Sequence, residues 1–214
     1  MSDTPTNRLE AFSDGVFAIA ITLLILEIKV PTEAELAAAG GLWTALAQRW
    51  PSYVGYVLSF LLIGVMWVNH HALFEYIRRV DRRLLFANLL LLMGVGFVPY
   101  PTAVLADHLA DPATRTSATV FYGATLVFTS ASFNLLWWVG RHERTLLGSG
   151  VHEQGLRTIT RRYAIALVCY AAATGLAYVN VWLSLAIHLA LALANARSER
   201  KPGHPSPASR DMPV

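Results

Sequence analysis

The fold of this chain is decided by residues 8–30, which read RLEAFSDGVFAIAITLLILEIKV. The uninterrupted apolar part, Gly15–Leu26, covers only about 18 Å as a helix, whereas the hydrocarbon core of a bilayer is about 30 Å thick. The polar-ended segments on both sides must therefore belong to the same helix, and we predict a first membrane span over Ala11–Val30. Arg8, Ser13 and Asp14 then lie at or inside the first end of this span. Burying polar groups there is energetically unfavourable, so such groups have a functional or paired role by default.

The composition places the whole chain among polytopic membrane proteins. Of its 214 residues, 55% are hydrophobic and only 14% are charged, whereas soluble domains carry about 25% charged residues. The net charge of +3 is small, and no soluble face concentrates it, so we expect membrane lipid and no nucleic acid as a partner.

Six apolar segments indicate an all-α membrane protein with six transmembrane helices per subunit. The last apolar run, 163–196, is too long for one crossing, and Tyr178–Asn180 is the predicted turn within it. The predicted spans are Ala11–Val30, Tyr53–His71, Leu84–Val104, Ala118–Val139, Arg162–Ala177 and Val181–Ala196. They form one transmembrane domain, residues 1–197, and the Pro- and Ser-rich segment 198–214 is predicted to be a disordered cytoplasmic tail.

The basic residues give the orientation. With six spans and a cytoplasmic N-terminus, all but three of the 17 Lys and Arg residues fall on the inner side, the exceptions being Lys29, Arg49 and Arg115. Cytoplasmic loops carry such an excess of basic residues, so both termini are predicted to be cytoplasmic and the location to be a cell membrane. Five spans would move the C-terminal basic residues outside, which disfavours that count.

Signatures of soluble enzyme chemistry do not occur in the sequence. His70 and His71 are adjacent and point about 100° apart on a helix, and no HExxH motif or Cys pair accompanies them, so we predict no metal. Ser13-Asp14 lacks a nucleophile elbow, and no phosphate- or dinucleotide-binding loop indicates a cofactor. The potassium-filter sequence TVGYG is also missing, so any ion path must use side chains or a hydrophobic constriction.

A helical wheel divides the first span into two faces. At about 100° per residue, one stripe is mostly aliphatic with a single hydroxyl and consists of Phe12, Ile19, Thr22, Leu23 and Leu26. Asp14 lies about 140° from Ile19 on this wheel. Because a carboxylate does not face lipid, Asp14 is expected to face protein, which turns the stripe either toward lipid or toward a central axis.

Partners for Asp14 must lie at the same cytoplasmic depth. The predicted inner end of the second span offers four candidates with N–H donors, namely Trp67, Asn69, His70 and His71. We interpret the set as an interhelical polar clamp that fixes geometry more than it adds stability. Direct proton handling by Asp14, His70 and His71 is the alternative.

The pattern R-x-x-x-F-S-D, formed by Arg8, Phe12, Ser13 and Asp14, closely resembles the signature of the endosomal/lysosomal potassium channel family, transmembrane protein 175. Single-repeat bacterial members resemble the chain over nearly all of it before the tail. The resemblance implies a homotetramer in which helix one lines a central cation pore, with the motif holding the helices together. By spacing from the motif, it assigns the pore constriction to Ile19, Leu23 and Leu26, and a selectivity-associated hydroxyl to Thr22.

The resulting hypothesis is a passive, potassium-preferring cation channel of the bacterial inner membrane, with potassium ions in the pore and a hydrophobic constriction on helix one. The first alternative is a proton-coupled secondary transporter or proton pathway that uses Asp14, His70 and His71. A non-conducting membrane scaffold or a membrane-embedded enzyme is the third class.

Overall fold

The structure is a computed structural model that describes residues 4–143, 146–147 and 153–197. Within those residues the chain forms nine α-helices and one small β-ribbon. The helices are α1 (Asn7–Leu23), α2 (Glu33–Ala39), α3 (Leu42–Gln48), α4 (Trp50–Tyr76), α5 (Arg82–Phe97), α6 (Pro99–His108), α7 (Arg115–His142), α8 (Glu153–Leu176) and α9 (Val181–Arg197). The predicted disordered tail, 198–214, lies outside the described residues.

Four helical segments of the described chain are long and apolar enough to cross a bilayer. They are Asn7–Glu27, Trp50–Tyr76, Arg82–His108 and Arg115–His142, and they correspond in order to the first four predicted spans. Three of the four segments extend beyond the predicted bounds at both ends, and the first begins earlier, at Asn7, and ends earlier, at Glu27. By length and composition, these four segments are candidate membrane spans.

The last apolar run forms two helices, α8 and α9, that break over residues 177–180, where the turn was predicted. Helix α8 begins at Glu153 rather than at the predicted Arg162, because the basic stretch before Arg162 is also helical. The apolar part of α9, Val181–Ala194, is short. Membrane crossing by these two helices remains a prediction.

The third predicted span is divided at Val98 into α5 and α6. Pro99 and Pro101 have no backbone N–H and cannot continue the ladder of an α-helix, so a proline-induced break occurs here. Buried hydroxyl groups connect the start of α6 to the neighbouring helices. Thr102 Oγ1 lies 2.7 Å from Ser59 Oγ on α4, and Ser59 Oγ lies 3.0 Å from the hydroxyl of Tyr122 on α7.

The connection between α1 and α4 contains two short helices. Thr32 caps α2 in a reciprocal capping box with Glu35, and Glu35 Oε2 also lies 2.8 Å from Arg49 Nη2. The hydrogen bond from the backbone N–H of Thr32 is the main reason why the pKa of the Glu35 carboxyl is lowered, with Arg49 adding a smaller effect. Gly40, directly after the last residue of α2, has φ of 74°, a conformation that favours glycine.

The chain segments at the opposite end of the subunit are joined by backbone hydrogen bonds. Strand β1 (Thr4–Pro5), directly before α1, pairs antiparallel with β2 (Arg79–Val80), which lies between α4 and α5. The backbone N–H of Arg78 donates to the carbonyl of Leu146 after α7 at 2.8 Å. These contacts fix the start of α1 relative to two loops on the predicted cytoplasmic side.

Helix α1 packs against α4 and α5 at the edge of the subunit. In its hydrophobic window 28% of the residues are buried, compared with 56% for the α5–α6 segment and 50% for α7. Within a single chain, α1 is therefore the least enclosed of the four candidate spans.

Candidate functional site at helix α1

The buried face of α1 recurs every three to four residues, as expected for a helix that packs along one side. Its members are Leu9, Ser13, Phe17, Ala20 and Leu24. The ring of Phe17 packs against the ring of His70 on α4, with 5.4 Å between the ring centroids. This face orients α1, and Ser13 is the one polar member of the buried set.

A chain of hydrogen bonds connects α1, α5 and α4 through Ser13. The Ser13 hydroxyl donates to the Leu9 carbonyl at 2.8 Å and accepts from Nδ2 of Asn88 at 3.0 Å. Oδ1 of Asn88 lies 2.9 Å from Nε2 of His70, and because the Asn88 oxygen can only accept, His70 Nε2 is the donor. All three side chains are buried, so these hydrogen bonds fix the relative rotation of the three helices.

Asp14 contacts a different neighbour, although it follows Ser13 directly. Its Oδ1 accepts a hydrogen bond of 2.8 Å from Nε1 of Trp67 on α4. Both side chains are exposed on the single chain, so this bond lies at the surface of the α1–α4 pair. Ser13 and Asp14 therefore attach α1 to the rest of the subunit from two sides.

The other predicted members of the clamp are not brought to Asp14. Asn69 is half-buried, and its Oδ1 accepts from Nη2 of Arg162 on α8 at 3.3 Å. His71, Arg8 and Phe12 are exposed on the single chain. Of the four predicted α4 partners, Trp67 contacts Asp14 directly and His70 reaches Ser13 through Asn88.

The predicted stripe lies on the exposed side of α1. The exposed fractions are 60% for Ile19, 41% for Leu23 and 67% for Leu26, and Thr22 is exposed as well. No residue of the described chain covers this aliphatic face. It must therefore meet lipid, another copy of the chain or a water-filled axis.

A change of helix type at the end of α1 alters the direction of Leu26. Residues Leu24–Glu27 form a 3₁₀ turn, in which side chains three residues apart are eclipsed. Leu26 therefore projects in nearly the same direction as Leu23, whereas a regular α-helix separates the two by about 60°. The turn aligns the aliphatic side chains more closely than the wheel predicted.

Thr22 is hydrogen-bonded back to its own helix. Its Oγ1 lies 2.9 Å from the carbonyl oxygen of Ile19 and 3.0 Å from that of Ala18. The hydroxyl hydrogen is used in these contacts, so the oxygen lone pairs point away from the helix axis. An oxygen oriented in this way can accept from water or coordinate a cation.

Asn88 takes part in this site but was absent from the predicted set. It joins Ser13 to His70 and is itself fully buried. A single amide inside the apolar third span was the available signal, because polar side chains in membrane helices usually bond across to other helices.

Comparison with known proteins places this arrangement in a family. The model of the endosomal/lysosomal potassium channel TMEM175 matches residues 8–99. A Streptomyces collinus protein named a potassium channel is 48% identical over 188 residues, which is 88% of this chain and 90% of that protein. The human protein named endosomal/lysosomal proton channel TMEM175 is 31% identical over 94% of this chain and 45% of its own length.

A solved structure agrees with the sequence relatives. The crystal structure of a lysosomal potassium-selective channel TMEM175 homolog from Chamaesiphon minutus matches with a TM-score of 0.81 and 41% identity, covering 89% of this chain and 96% of that chain. The similarity thus extends over the fold as well as the motif, and the chain belongs to the TMEM175 channel family.

Proposed function

We propose that this protein is a passive, potassium-preferring cation channel whose pore is lined by α1 in a homotetramer. The observation that carries the proposal is the uncovered aliphatic face of α1, with Ile19, Leu23 and Leu26 on the side away from the buried contacts. Relatives named potassium channels in Streptomyces collinus and Chamaesiphon minutus support the choice of ion.

The small buried fraction of α1 within one chain supports an assembly in which several copies of this helix meet. A membrane helix at the edge of one subunit acquires a central position when several copies surround a symmetry axis. The matched part of the human relative is 45% of its length, so two such units fit into that chain. A pore built from four units then needs four copies of the present chain.

Permeation in this proposal is controlled by a narrow ring of aliphatic side chains. Such a ring excludes hydrated ions and dewets when it is tight, so conduction requires widening. Potassium is dehydrated more readily than sodium, and the Thr22 oxygen, one residue before Leu23, offers a replacement ligand near the ring. Potassium preference is proposed to arise from these two effects together.

Oligomer measurement combined with ion flux tests the proposal. We expect native mass spectrometry of the purified protein to give a tetramer, and liposomes containing it to pass potassium down a gradient faster than sodium. Empty liposomes and liposomes with heat-denatured protein are the controls. A monomeric protein without potassium flux would contradict both parts of the proposal.

Replacing Thr22 with valine is expected to lower the potassium-to-sodium flux ratio by about threefold, since one polar contact contributes about 0.5–1.5 kcal/mol. Valine keeps the branched shape and removes the oxygen. Thr22→Ser restores the oxygen in a smaller side chain and is expected to keep most of the ratio. An unchanged ratio in Thr22→Val would remove this residue from the selectivity mechanism.

A proton pathway is the second candidate, because the vertebrate relatives are named proton channels. The alternative uses Asp14, His70 and His71, and Glu10 is a further titratable residue within the motif. In the structure, however, Asp14 accepts a hydrogen bond from Trp67. His70 is hydrogen-bonded to the Asn88 amide, which is in turn hydrogen-bonded to Ser13. Neither the indole nor the amide readily exchanges a proton near neutral pH, so these contacts favour the clamp.

The proposed location is the bacterial inner membrane with both termini in the cytoplasm. The distribution of Lys and Arg residues along the sequence supports this orientation. The charges at the predicted inner ends of the helices include Arg82 and Arg83 at the start of α5 and Arg141 at the end of α7.

A further inference from the structure

Three buried hydroxyl groups form a chain of hydrogen bonds from α7 through α4 to α6. Thr102 Oγ1 donates to the carbonyl of Val98 at 2.8 Å. A hydroxyl has one hydrogen, so Thr102 must accept from Ser59 Oγ, which lies 2.7 Å away. Ser59 has then used its own hydrogen, and the Tyr122 hydroxyl donates to Ser59 at 3.0 Å. All the bonds therefore run in one direction, toward the first turn of α6.

The chain ends at the proline break between α5 and α6. Pro99 and Pro101 have no backbone N–H, so the helical ladder is interrupted at this point. The Val98 carbonyl accepts from the backbone N–H of Thr102 at 3.1 Å as well as from its hydroxyl. Thr102 thus connects α6 to the break, and Ser59 connects α6 to α4. The angle of α6 at the break depends on these two contacts.

Helix α6 packs directly on α4 beside this chain. A Cβ atom added at Gly55, one turn before Ser59, would lie 3.4 Å from Cγ2 of Thr102 and 3.8 Å from Cβ of Ala106. These are van der Waals distances, so the two helices are as close here as side chains allow. A change in the angle of α6 must therefore change its packing on α4.

Both α4 and α6 contact the 3₁₀ turn Leu24–Glu27 at the end of α1. Leu24 is the fully buried residue of this turn, whereas Leu26 is 67% exposed. The two residues belong to one hydrogen-bonded turn, so the position of Leu26 follows from the way the turn packs against its neighbours. Helix α6 is in this way a support for the aliphatic face of α1.

We propose that Tyr122, Ser59 and Thr102 are positioning residues for the outer end of the pore. The inference rests on the pore function proposed above. The three residues do not lie on α1 and act through α6 and the 3₁₀ turn. The intact chain keeps the turn in the position that narrows the ring at Leu26, and removal of a hydroxyl lets the turn yield, so that the ring widens and conducts more readily.

Potassium flux through reconstituted protein tests the chain. Tyr122→Phe removes only the first donor and is expected to raise the flux about threefold or more, the scale of one lost hydrogen bond. Thr102→Val should have at least the same effect, and Thr102→Ser, which restores the hydroxyl, should conduct like wild type. Because both sites act through Ser59, the double variant Tyr122→Phe/Thr102→Val should lie within about twofold of Thr102→Val alone.

Thr129→Val is the matched control on the same helix as Tyr122. Thr129 is buried, but its hydroxyl donates to the carbonyl of Thr125 in its own helix, at 2.9 Å. We expect this variant to leave the flux within about twofold of wild type, since no bond between helices is lost. An increase equal to that of Tyr122→Phe would show that any lost buried hydroxyl has this effect and would overturn the proposal.

Combined substitutions test whether the effect passes through Leu26. In a Leu26→Ala background the ring is already wide at this level, and Tyr122→Phe is expected to have little further effect on flux. In an Ile19→Ala background, which changes the pore two turns earlier, the effect of Tyr122→Phe should persist. An equal effect in both backgrounds would mean that the hydroxyl chain does not act at the outer end of the pore.

Spin labelling gives a measurement that does not depend on flux. Cys169→Ser removes the one native cysteine, and a nitroxide is then attached through Leu26→Cys or, as a control near the start of α1, through Phe12→Cys. Tyr122→Phe is expected to increase label mobility at position 26 and to leave it unchanged at position 12. This result in a protein that passes no potassium would overturn the pore function and support the positioning role. A conducting protein in which neither flux nor label mobility responds to Tyr122→Phe would overturn the positioning role alone.

Discussion

Replacing Leu23 with alanine is expected to raise potassium flux through reconstituted protein about tenfold or more. The substitution removes three carbons from each proposed pore-lining side chain and so widens and wets the constriction. A barrier lowered by about 1.4 kcal/mol already gives a tenfold rate. Burial of a single CH₂ group is worth about 0.8 kcal/mol, so four shortened side chains can readily produce such a change.

The opposite change should block the same position. Leu23→Trp places a large ring on the aliphatic face and is expected to reduce potassium flux below about one tenth of the wild-type rate, which corresponds to a barrier higher by at least about 1.4 kcal/mol. Because Leu23 is 41% exposed in the single chain, the larger side chain does not have to enter the core of its own subunit. Unchanged Tm and tetramer content would show that the loss of flux is local.

Ile25 provides the matched control for Leu23. It is an aliphatic residue on the 3₁₀ turn that directly follows Leu23 and is 51% exposed, but it points about 120–160° away from Leu23 around the axis. Ile25→Ala is expected to leave potassium flux within twofold of wild type. Equal effects of Leu23→Ala and Ile25→Ala would mean that the pore does not face the Ile19–Leu23–Leu26 stripe.

Ile19 extends this test by one helical turn. Ile19→Ala is expected to increase flux less than Leu23→Ala if Leu23 forms the narrowest ring, and more if Ile19 does. Both residues have aliphatic side chains and both are exposed, so the ratio of the two effects reports position along the pore. Fluorescent measurement of potassium efflux at a fixed protein-to-lipid ratio gives this ratio directly.

The exposure of the aliphatic stripe on α1 was predictable because helical phase is a local property, whereas Asp14, which was expected to face protein, is exposed on the single chain. Ser13, Phe17 and Ala20 are buried, and the predicted stripe is exposed, as a period of 3.6 residues requires. The same wheel misplaced Leu26 by a fraction of a turn. A change from α to 3₁₀ geometry depends on the path of the chain after the helix, and no residue pattern within the span predicts it.

Pairing between helices could not be predicted to the same extent. Asn88 lies 75 residues from Ser13 in the sequence, and their contact depends on how α5 is rotated around its own axis. For the same reason Asn69 was assigned to Asp14, whereas its neighbour is Arg162 on α8. Sequence position gave the depth of these groups in the membrane, but depth alone leaves several possible partners.

Replacing Asp14 with leucine is expected to remove most of the assembled, conducting protein. The substitution deletes the acceptor for Trp67 Nε1, which lies 2.8 Å from Asp14 Oδ1. One interhelical hydrogen bond in a membrane contributes about 0.6 kcal/mol on average, so four equivalent bonds contribute about 2.4 kcal/mol, roughly a 60-fold change in an equilibrium. Tetramer content by native mass spectrometry and potassium flux should therefore fall together.

Asp14→Asn separates the clamp from the proton pathway. The asparagine carbonyl still accepts from the Trp67 indole, while the titratable carboxyl is lost. Under the clamp interpretation we expect tetramer content and potassium flux within about twofold of wild type, because the hydrogen bond from Trp67 is retained. Trp67→Phe keeps the aromatic ring, removes the donor and should resemble Asp14→Leu.

Glu10 is the matched control for charge. It lies one turn before Asp14 on the same helix, and Glu10→Gln removes one negative charge without changing the Asp14–Trp67 bond. If Asp14→Asn abolishes proton-driven acidification of liposomes while Glu10→Gln does not, the carboxyl of Asp14 carries protons and the clamp interpretation is wrong. If both variants conduct potassium normally and only Asp14→Leu and Trp67→Phe fail, the motif acts by holding α1 in place, and the ions meet the aliphatic face that it orients.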